Sequence, residues 1–311
     1  MLALFSAPRS AVVRDKLRLL FQLVLLLTAV VALGLVGLPG PLYRFEAIGL
    51  GTAFTMIEDG AELGLVVGGL ALLGLIAAGI AREKRLALVA VLALVAAAVA
   101  FGIPYSWLQK ARAVPPIHDV TTDPAQPPSF AAILRTHPVL INSPVYGGGP
   151  KEEAGAELSA VRSYLKSQAR KGGAQGRAAE HLLTVCRRWD PACLGGVTRV
   201  FYPAVRPLVI AGTSPARVIR VARQLMRERG WTLVPTQRPD RLEAVARTPW
   251  FGFRDDVALR VTVLGHHRLR IDMRSESRLG LSDIGRNAAR LTSYLRALTR
   301  RLTRPGRPAH R

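Results

Sequence analysis

Two sets of polar residues hold whatever chemistry this chain can do. The first is His118, Asp119, Asp123, Asp255 and Asp256. Carboxylates beside an imidazole can share acid and base work in a hydrolase, or gather around a divalent cation. Against that use, Asp119 and Asp123 stand beside Thr121, Thr122 and Pro124, where short polar side chains close turns on backbone N–H groups. Asp255 and Asp256 follow an aromatic strand end and can close a turn or pair with arginines. The second set is Asp272, Arg274, Ser275, Ser277, Arg278 and Asn287, at a junction where a strand runs into a Gly/Ser/Asp turn and a helix. A helix N-terminus offers free N–H groups and positive potential, so these residues could hold an anion. The competing reading is structural. Arg270, Asp272, Arg274 and Glu276 share one strand face and can pair along and across strands as a lattice on a solvent-facing sheet. No Ser-His-Asp arrangement, phosphate loop or dinucleotide fingerprint is present, and Gly147-Gly-Gly149 lacks the lysine and helix a phosphate loop needs. Catalytic residues therefore stay unassigned, and neither a cofactor nor a metal site is expected.

The elements that must position these residues follow from periodicity. Pro207–Ala211 reads as a short strand. Ser214-Pro215 then starts a helix with the stripe Val218, Ile219, Ala222, Leu225 and Met226, which Gly230 ends. Trp231–Val234 and Arg241–Thr248 read as strands. Val257, Leu259, Val261 and Val263 alternate with Ala258, Arg260 and Thr262, and Leu269, Ile271, Met273 and Ser275 alternate with Arg270, Asp272, Arg274 and Glu276. That is a hairpin with one buried and one charged face, turning at His266-His267. Ser282 or Asp283 caps a last helix with the stripe Ile284, Ala288, Leu291, Leu295, Leu298 and Leu302. The order β-α-β-β-β-β-α makes an α+β domain, an antiparallel sheet with two helices on one face.

Ahead of that domain the chain is apolar. Leu19–Leu38, Leu63–Ile80 and Leu86–Ile103 are uncharged and long enough to span a bilayer. The first is too long for a signal-peptide core and lacks a small-x-small cleavage site. Residues 1–18 are net +3, the loop 39–62 is net −3 and Arg82–Arg85 is net +2. All three connections therefore agree on an N-terminus inside and a large domain outside the cytoplasm, on a multi-pass inner-membrane protein. Of 43 basic and 21 acidic residues only 8 and 6 lie in 1–106, leaving the remainder net +20. Such a domain attracts anionic lipid or glycopolymer. An external position and the lack of an aromatic-basic motif argue against nucleic acid. The competing account of the charge is a solvated arginine-rich surface. Cys186 and Cys193 can form a disulfide in an oxidising compartment, worth perhaps ~2.5 kcal/mol for so small a loop, or remain two buried thiols. They lack the second ligand pair of a zinc site.

The divisions expected are a three-helix membrane region (1–106), an extended Pro/Gly-rich segment (107–150), an Ala/Arg-rich helical insertion (151–199), the α+β core (200–303) and a basic tail (304–311). Within the insertion, one helix should end at Gly172-Gly173 and a second cover 176–188.

Three stretches, Pro116–Asp123, Thr248–Asp256 and Arg270–Ala288, resemble the domain-of-unknown-function-1499 family, as do Tyr202-Pro203 and Pro207-Leu208. The resemblance covers 116–145 and 200–300 and departs at 147–199. It implies a domain carried behind N-terminal membrane spans and no particular activity. The reading reached is a polytopic membrane protein whose external domain is a binding or scaffold module for an envelope protein or an anionic ligand. The alternative is an envelope hydrolase using the Asp/His set. Gathering of Asp119, Asp123 and Asp255 in one concave pocket would favour the enzyme, and separate burial in turns and salt bridges the module.

Overall fold

A computed structural model describes residues 9–136, 142–265 and 267–303. The basic tail 304–311, Val139 and Ile141 of the extended segment, and His266 lie outside the described residues. The chain divides into two compact units, Met1–Gln109 with Trp250–Gly252, and Lys110–Pro249 with Phe253–Arg311.

The first unit is helical: α1 (Arg9–Gly37), the short α2 (Pro39–Arg44), α3 (Leu50–Ala81) and α4 (Lys84–Ala113). Three stretches, Val13–Arg44, Leu50–Ala81 and Lys84–Ala113, are long and apolar enough to cross a membrane. Their packing is the inverse of a soluble bundle. Small residues face inward, with Ala53, Gly60, Gly64, Ala71, Gly74 and Ala78 of α3 buried, while Leu23, Leu27, Val30, Leu73 and Ile76 face outward. Small residues let helix backbones approach closely where lipid supplies no hydrophobic drive. At Gly60 a Cβ would meet Leu35 and Val36 at 2.8 Å, so the approach there depends on glycine. The sequence expectation of a loop through 39–62 is corrected. The helix α3 begins at Leu50 and includes Glu58, Asp59 and Glu62, all exposed. At 1.5 Å per residue its 32 residues run about 48 Å, longer than a hydrocarbon core of about 30 Å, so a helix can continue into acidic sequence beyond the apolar run.

The second unit continues with β1 (Asp119–Thr121), α5 (Ala131–Thr136), α6 (Lys151–Lys171), α7 (Gly173–Val185), α8 (Pro191–Phe201), β2 (Leu208–Ala211), α9 (Pro215–Glu228), β3 (Thr232–Val234), β4 (Arg241–Arg247), β5 (Arg254–Gly265), β6 (Arg268–Ser277) and α10 (Arg286–Thr303). All six strands form one antiparallel sheet in the order β1-β6-β5-β4-β3, with β2 also on β6. β1 pairs with Arg274–Glu276 and β2 with Arg268–Ile271, so the two short strands lie end to end along one edge of β6. One face carries the main core: Val257, Leu259, Ile271 and Met273 pack with Val218, Ala222 and Met226 of α9 and Leu291, Tyr294 and Leu298 of α10. Ser214 caps α9 by accepting from the Arg217 N–H, as its place before Pro215 predicts.

Three expectations are corrected. The charged face of the hairpin does not meet solvent, since Asp272, Arg274 and Glu276 are buried. Among the described residues of the preceding segment, Phe130 and Ile133 cover that face, packed against Val234, Val245 and Ala258, and Tyr146 lies over Arg274. Ile284 does not belong to the α10 stripe. It precedes the helix, is exposed and takes a positive φ of 54°, because the cap at Asp283 turns the chain there. The second insertion helix spans 173–185, and a third, α8, follows it, starting on the Asp190 side chain, which accepts from the Cys193 N–H at 2.8 Å. Cys186 and Cys193 are joined in a disulfide across the α7–α8 connection.

Glu243 fixes the cover to the sheet. Its buried carboxylate, on β4, accepts from the N–H groups of Ala132 and Ile133 at 2.8 Å and so satisfies the first turn of α5. Glu243→Ala leaves those N–H groups unpaired under the cover. We expect a loss of about 1–3 kcal/mol, read as a lower Tm of the detergent-solubilised chain. An unchanged Tm would show that α5 does not depend on this carboxylate.

Candidate functional site

Strand β6 places its polar residues alternately on the two faces of the sheet. On the covered face, Arg274 is 3 % exposed and binds Asp119 through two nitrogens at 3.0 and 2.7 Å. It also donates to Glu276 at 3.0 Å and to the Pro144 carbonyl at 2.9 Å. The Phe130 and Tyr146 rings lie 4.5 and 5.5 Å from its guanidinium carbon. Asp272 accepts from Arg270, Arg260 and Thr122, and Asp123 accepts from Arg260 at 2.9 Å and lies 3.1 Å from Arg270. Arg278 forms a forked pair with Asp256 at 2.9 and 2.7 Å.

On the helix face, Ser275 donates to Asn287 Oδ1 at 2.7 Å. The Asn287 amide donates to the His118 carbonyl at 2.7 Å and to Ser277 Oγ at 3.1 Å. Arg290 donates to Ser275 at 2.9 Å and pairs with Asn287 and Asp255. Asp283 accepts from the N–H groups of Gly285 and Asn287 at the start of α10; burial pushes its carboxyl up to about 6, and those two hydrogen bonds oppose the rise.

The candidate anion ligands Asp272, Arg274, Ser275, Ser277 and Asn287 are thus buried and bonded to one another or to the segment covering them, and Arg278 is paired with Asp256. The polar set does not gather in a cleft. Asp119, Asp123, Asp255 and Asp256 each face a guanidinium, Asp255 on the helix side and Asp119 and Asp256 on the other. His118 is drawn elsewhere, its Nδ1 3.1 Å from Glu157 Oε1 of α6. That separate pairing favours a structural use of the aspartates over hydrolysis.

Two clefts open on this unit. One, about 300 Å³, is walled by Thr121, Thr122, Pro124, Thr198, Arg199 and Arg206. The other, about 570 Å³, is walled by Arg229, Trp231, Arg247, Arg286, Arg290 and Ser293. Four arginines line it: Arg229 just after α9, Arg247 of β4, and Arg286 and Arg290 of α10, with Asp255 on Arg290 as a close counter-charge. Burial and the neighbouring cations Arg290, Arg300 and Arg301 lower the pKa of Arg229, which donates to Ser293 at 3.0 Å and lies over the Trp231 ring. Trp231 in turn stacks on Tyr294 with centroids 5.2 Å apart. Arg247 stands opposite Arg254 in the sheet, a like-charge pairing that costs free energy unless an anion offsets it. Among the described residues neither Arg247 nor Arg286 has a carboxylate within ion-pair distance. No motif in the sequence marks Arg229, Arg247, Arg286 and Arg290 as one site. Their only sequence signal is the general excess of arginine.

A family profile, described as protein of unknown function (DUF1499), matches residues 119–298. No curated protein and no solved structure matches the chain significantly.

The buried ion pairs carry a stability prediction. Arg274→Ala strands Asp119 and Glu276 under the cover, and breaking such a pair from one side costs about 3–5 kcal/mol. The substitution should lower the Tm strongly and expose Tyr146 to solvent in near-ultraviolet circular dichroism. A Tm within error of the parent chain would contradict the structural role assigned to the pair.

Proposed function

This chain belongs to the DUF1499 family, and from that premise we propose a multi-pass membrane protein whose sheet domain stands outside the cytoplasm and binds a phosphate-bearing anion, on a lipid head group or an envelope glycopolymer. The observation that carries the reading is the arginine cleft of Arg229, Arg247, Arg286 and Arg290 around Trp231. Planar guanidinium forks match phosphate oxygens in pairs, and a ring beside them can take the apolar part of the ligand. The net +20 of residues 107–311 adds an attraction that steers anions to the domain. Each basic residue near an anionic surface is worth about 1 kcal/mol, with a reach of roughly 8 Å at physiological salt. The orientation rests on the three charge counts, net +3 and +2 on one side and −3 on the other.

Two outcomes test this. The chain in phosphatidylcholine nanodiscs should sediment with phosphatidylglycerol vesicles at low salt, release at high salt, and ignore phosphatidylcholine vesicles. Arg247→Ala with Arg286→Ala should weaken that binding by about 2 kcal/mol, or roughly 30-fold. Competition by soluble polyphosphate would show that the phosphate, and not the bilayer, is read. Equal retention of the double variant would remove the cleft from the account.

The orientation is checked by reporters fused after Arg311. A reporter active only outside the cytoplasm should be active there. Activity of a cytoplasm-only reporter at the same position would overturn the topology.

A further inference from the structure

A second polar group lies away from the arginine cleft, where the insertion meets strand β1. Glu153 and Glu157 are four residues apart on α6, so both carboxylates project from one helix face. His118 precedes β1 and meets them. One ligand atom from each of the three lies within 4.8 Å of the others, and His118 Nδ1 is 3.1 Å from Glu157 Oε1. A first-row divalent ion binds nitrogen and oxygen at about 2.0–2.2 Å, which places neighbouring ligand atoms roughly 3 Å apart and opposite ones about 4.3 Å apart. Small side-chain rotations close this set on one ion.

Burial and unmet bonding point the same way. The His118 and Glu157 side chains are 6 % and 2 % exposed. Trp189 lies near the Glu157 carboxylate, yet Glu157 Oε2 makes no hydrogen bond, and the 3.1 Å contact of His118 Nδ1 with Glu157 Oε1 lacks hydrogen-bond geometry. Buried polar atoms are nearly always bonded, so an unbonded carboxylate oxygen beside an imidazole nitrogen so poorly met wants a ligand. The frame is held from outside. The His118 carbonyl accepts from the Asn287 amide and the Ser277 N–H, and Glu153 Oε1 accepts from the Ser143 N–H at 2.8 Å. Such outer contacts are what orient metal ligands. Glu153 is partly exposed and gives an ion a way in.

We propose that His118, Glu153 and Glu157 form a three-ligand site for a first-row divalent transition-metal ion, zinc by ligand type, with water completing its coordination. An imidazole among the ligands selects against calcium and magnesium, which prefer all-oxygen shells. The ion would staple α6 of the insertion to the edge strand β1. This inference is independent of anion binding at the arginine cleft.

The test uses the full chain in detergent, with its affinity tag removed and stripped by chelator. Titration with zinc should show one ion per chain, held against excess magnesium or calcium and confirmed by elemental analysis. Zinc should raise the Tm. Glu157→Gln and, separately, Glu153→Gln should weaken zinc binding by roughly 100-fold or more, while Glu152→Gln, on the same helix outside the set, should not. If Glu157→Gln fails to fold, the partly exposed Glu153→Gln decides. No stoichiometric zinc binding, or binding unaffected by Glu153→Gln, would overturn the site.

Discussion

The ion pair between Arg274 and Asp119 is the constraint on which the sheet domain depends. A guanidinium on an inner strand of a buried sheet face is tolerable only when its charge is met and its donors are filled. Asp119 supplies the charge, the Pro144 carbonyl and Glu276 take further donors, and the Phe130 and Tyr146 rings cover the planar faces. Every one of those groups except Glu276 comes from residues 119–146. The extended segment is therefore bound to the core by charge as well as by apolar contacts. Phe130 and Ile133 pack on the covered face, and Ile117, Val120 and Tyr146 join the main core.

A second polar seam joins the sheet to α10 on the opposite face. Ser275, Ser277 and Asn287 bond among themselves, and Asn287 reaches the carbonyl of His118 just before β1. The amide thus ties three parts of the chain together: the edge strand β1, strand β6 and the last helix. Arg290 links this seam to the surface, since it bonds Ser275 and Asp255 inside while lining the arginine cleft outside. A ligand in the cleft would touch the same network that holds the domain in register, so binding and stability are coupled there.

The three long apolar helices follow different physics. Their interior is mostly alanine and glycine and their exterior leucine, valine and isoleucine, as suits association in lipid, which depends on close backbone approach and not on hiding apolar surface from water. The insertion between Gly147 and Arg199 obeys soluble rules instead. Its helices bury Val161, Leu165, Leu182, Leu194 and Val197 in the main core, and the Cys186–Cys193 disulfide closes their connection.

The sequence by itself determined what is periodic or local. Alternation in 257–276 drew the hairpin and its apolar face, the stripes of α9 and α10 drew the helices that cover it, and the uncharged runs drew the three long helices, since each signal lies within one element. Tertiary structure decided what covers the charged face, because alternation marks that face as polar without saying whether water or protein meets it. The decisive pairs are remote: Arg274 and Asp119 are 155 residues apart in sequence, and the two edge strands share β6 only once it is in place. Helix α5 spans six residues, too short for a periodic signal, and forms where Glu243 receives its first turn. The arginine cleft is likewise a property of three elements meeting. No spacing in the sequence relates Arg229, Arg247 and Arg286, because what brings them together is the packing of α9, β4 and α10.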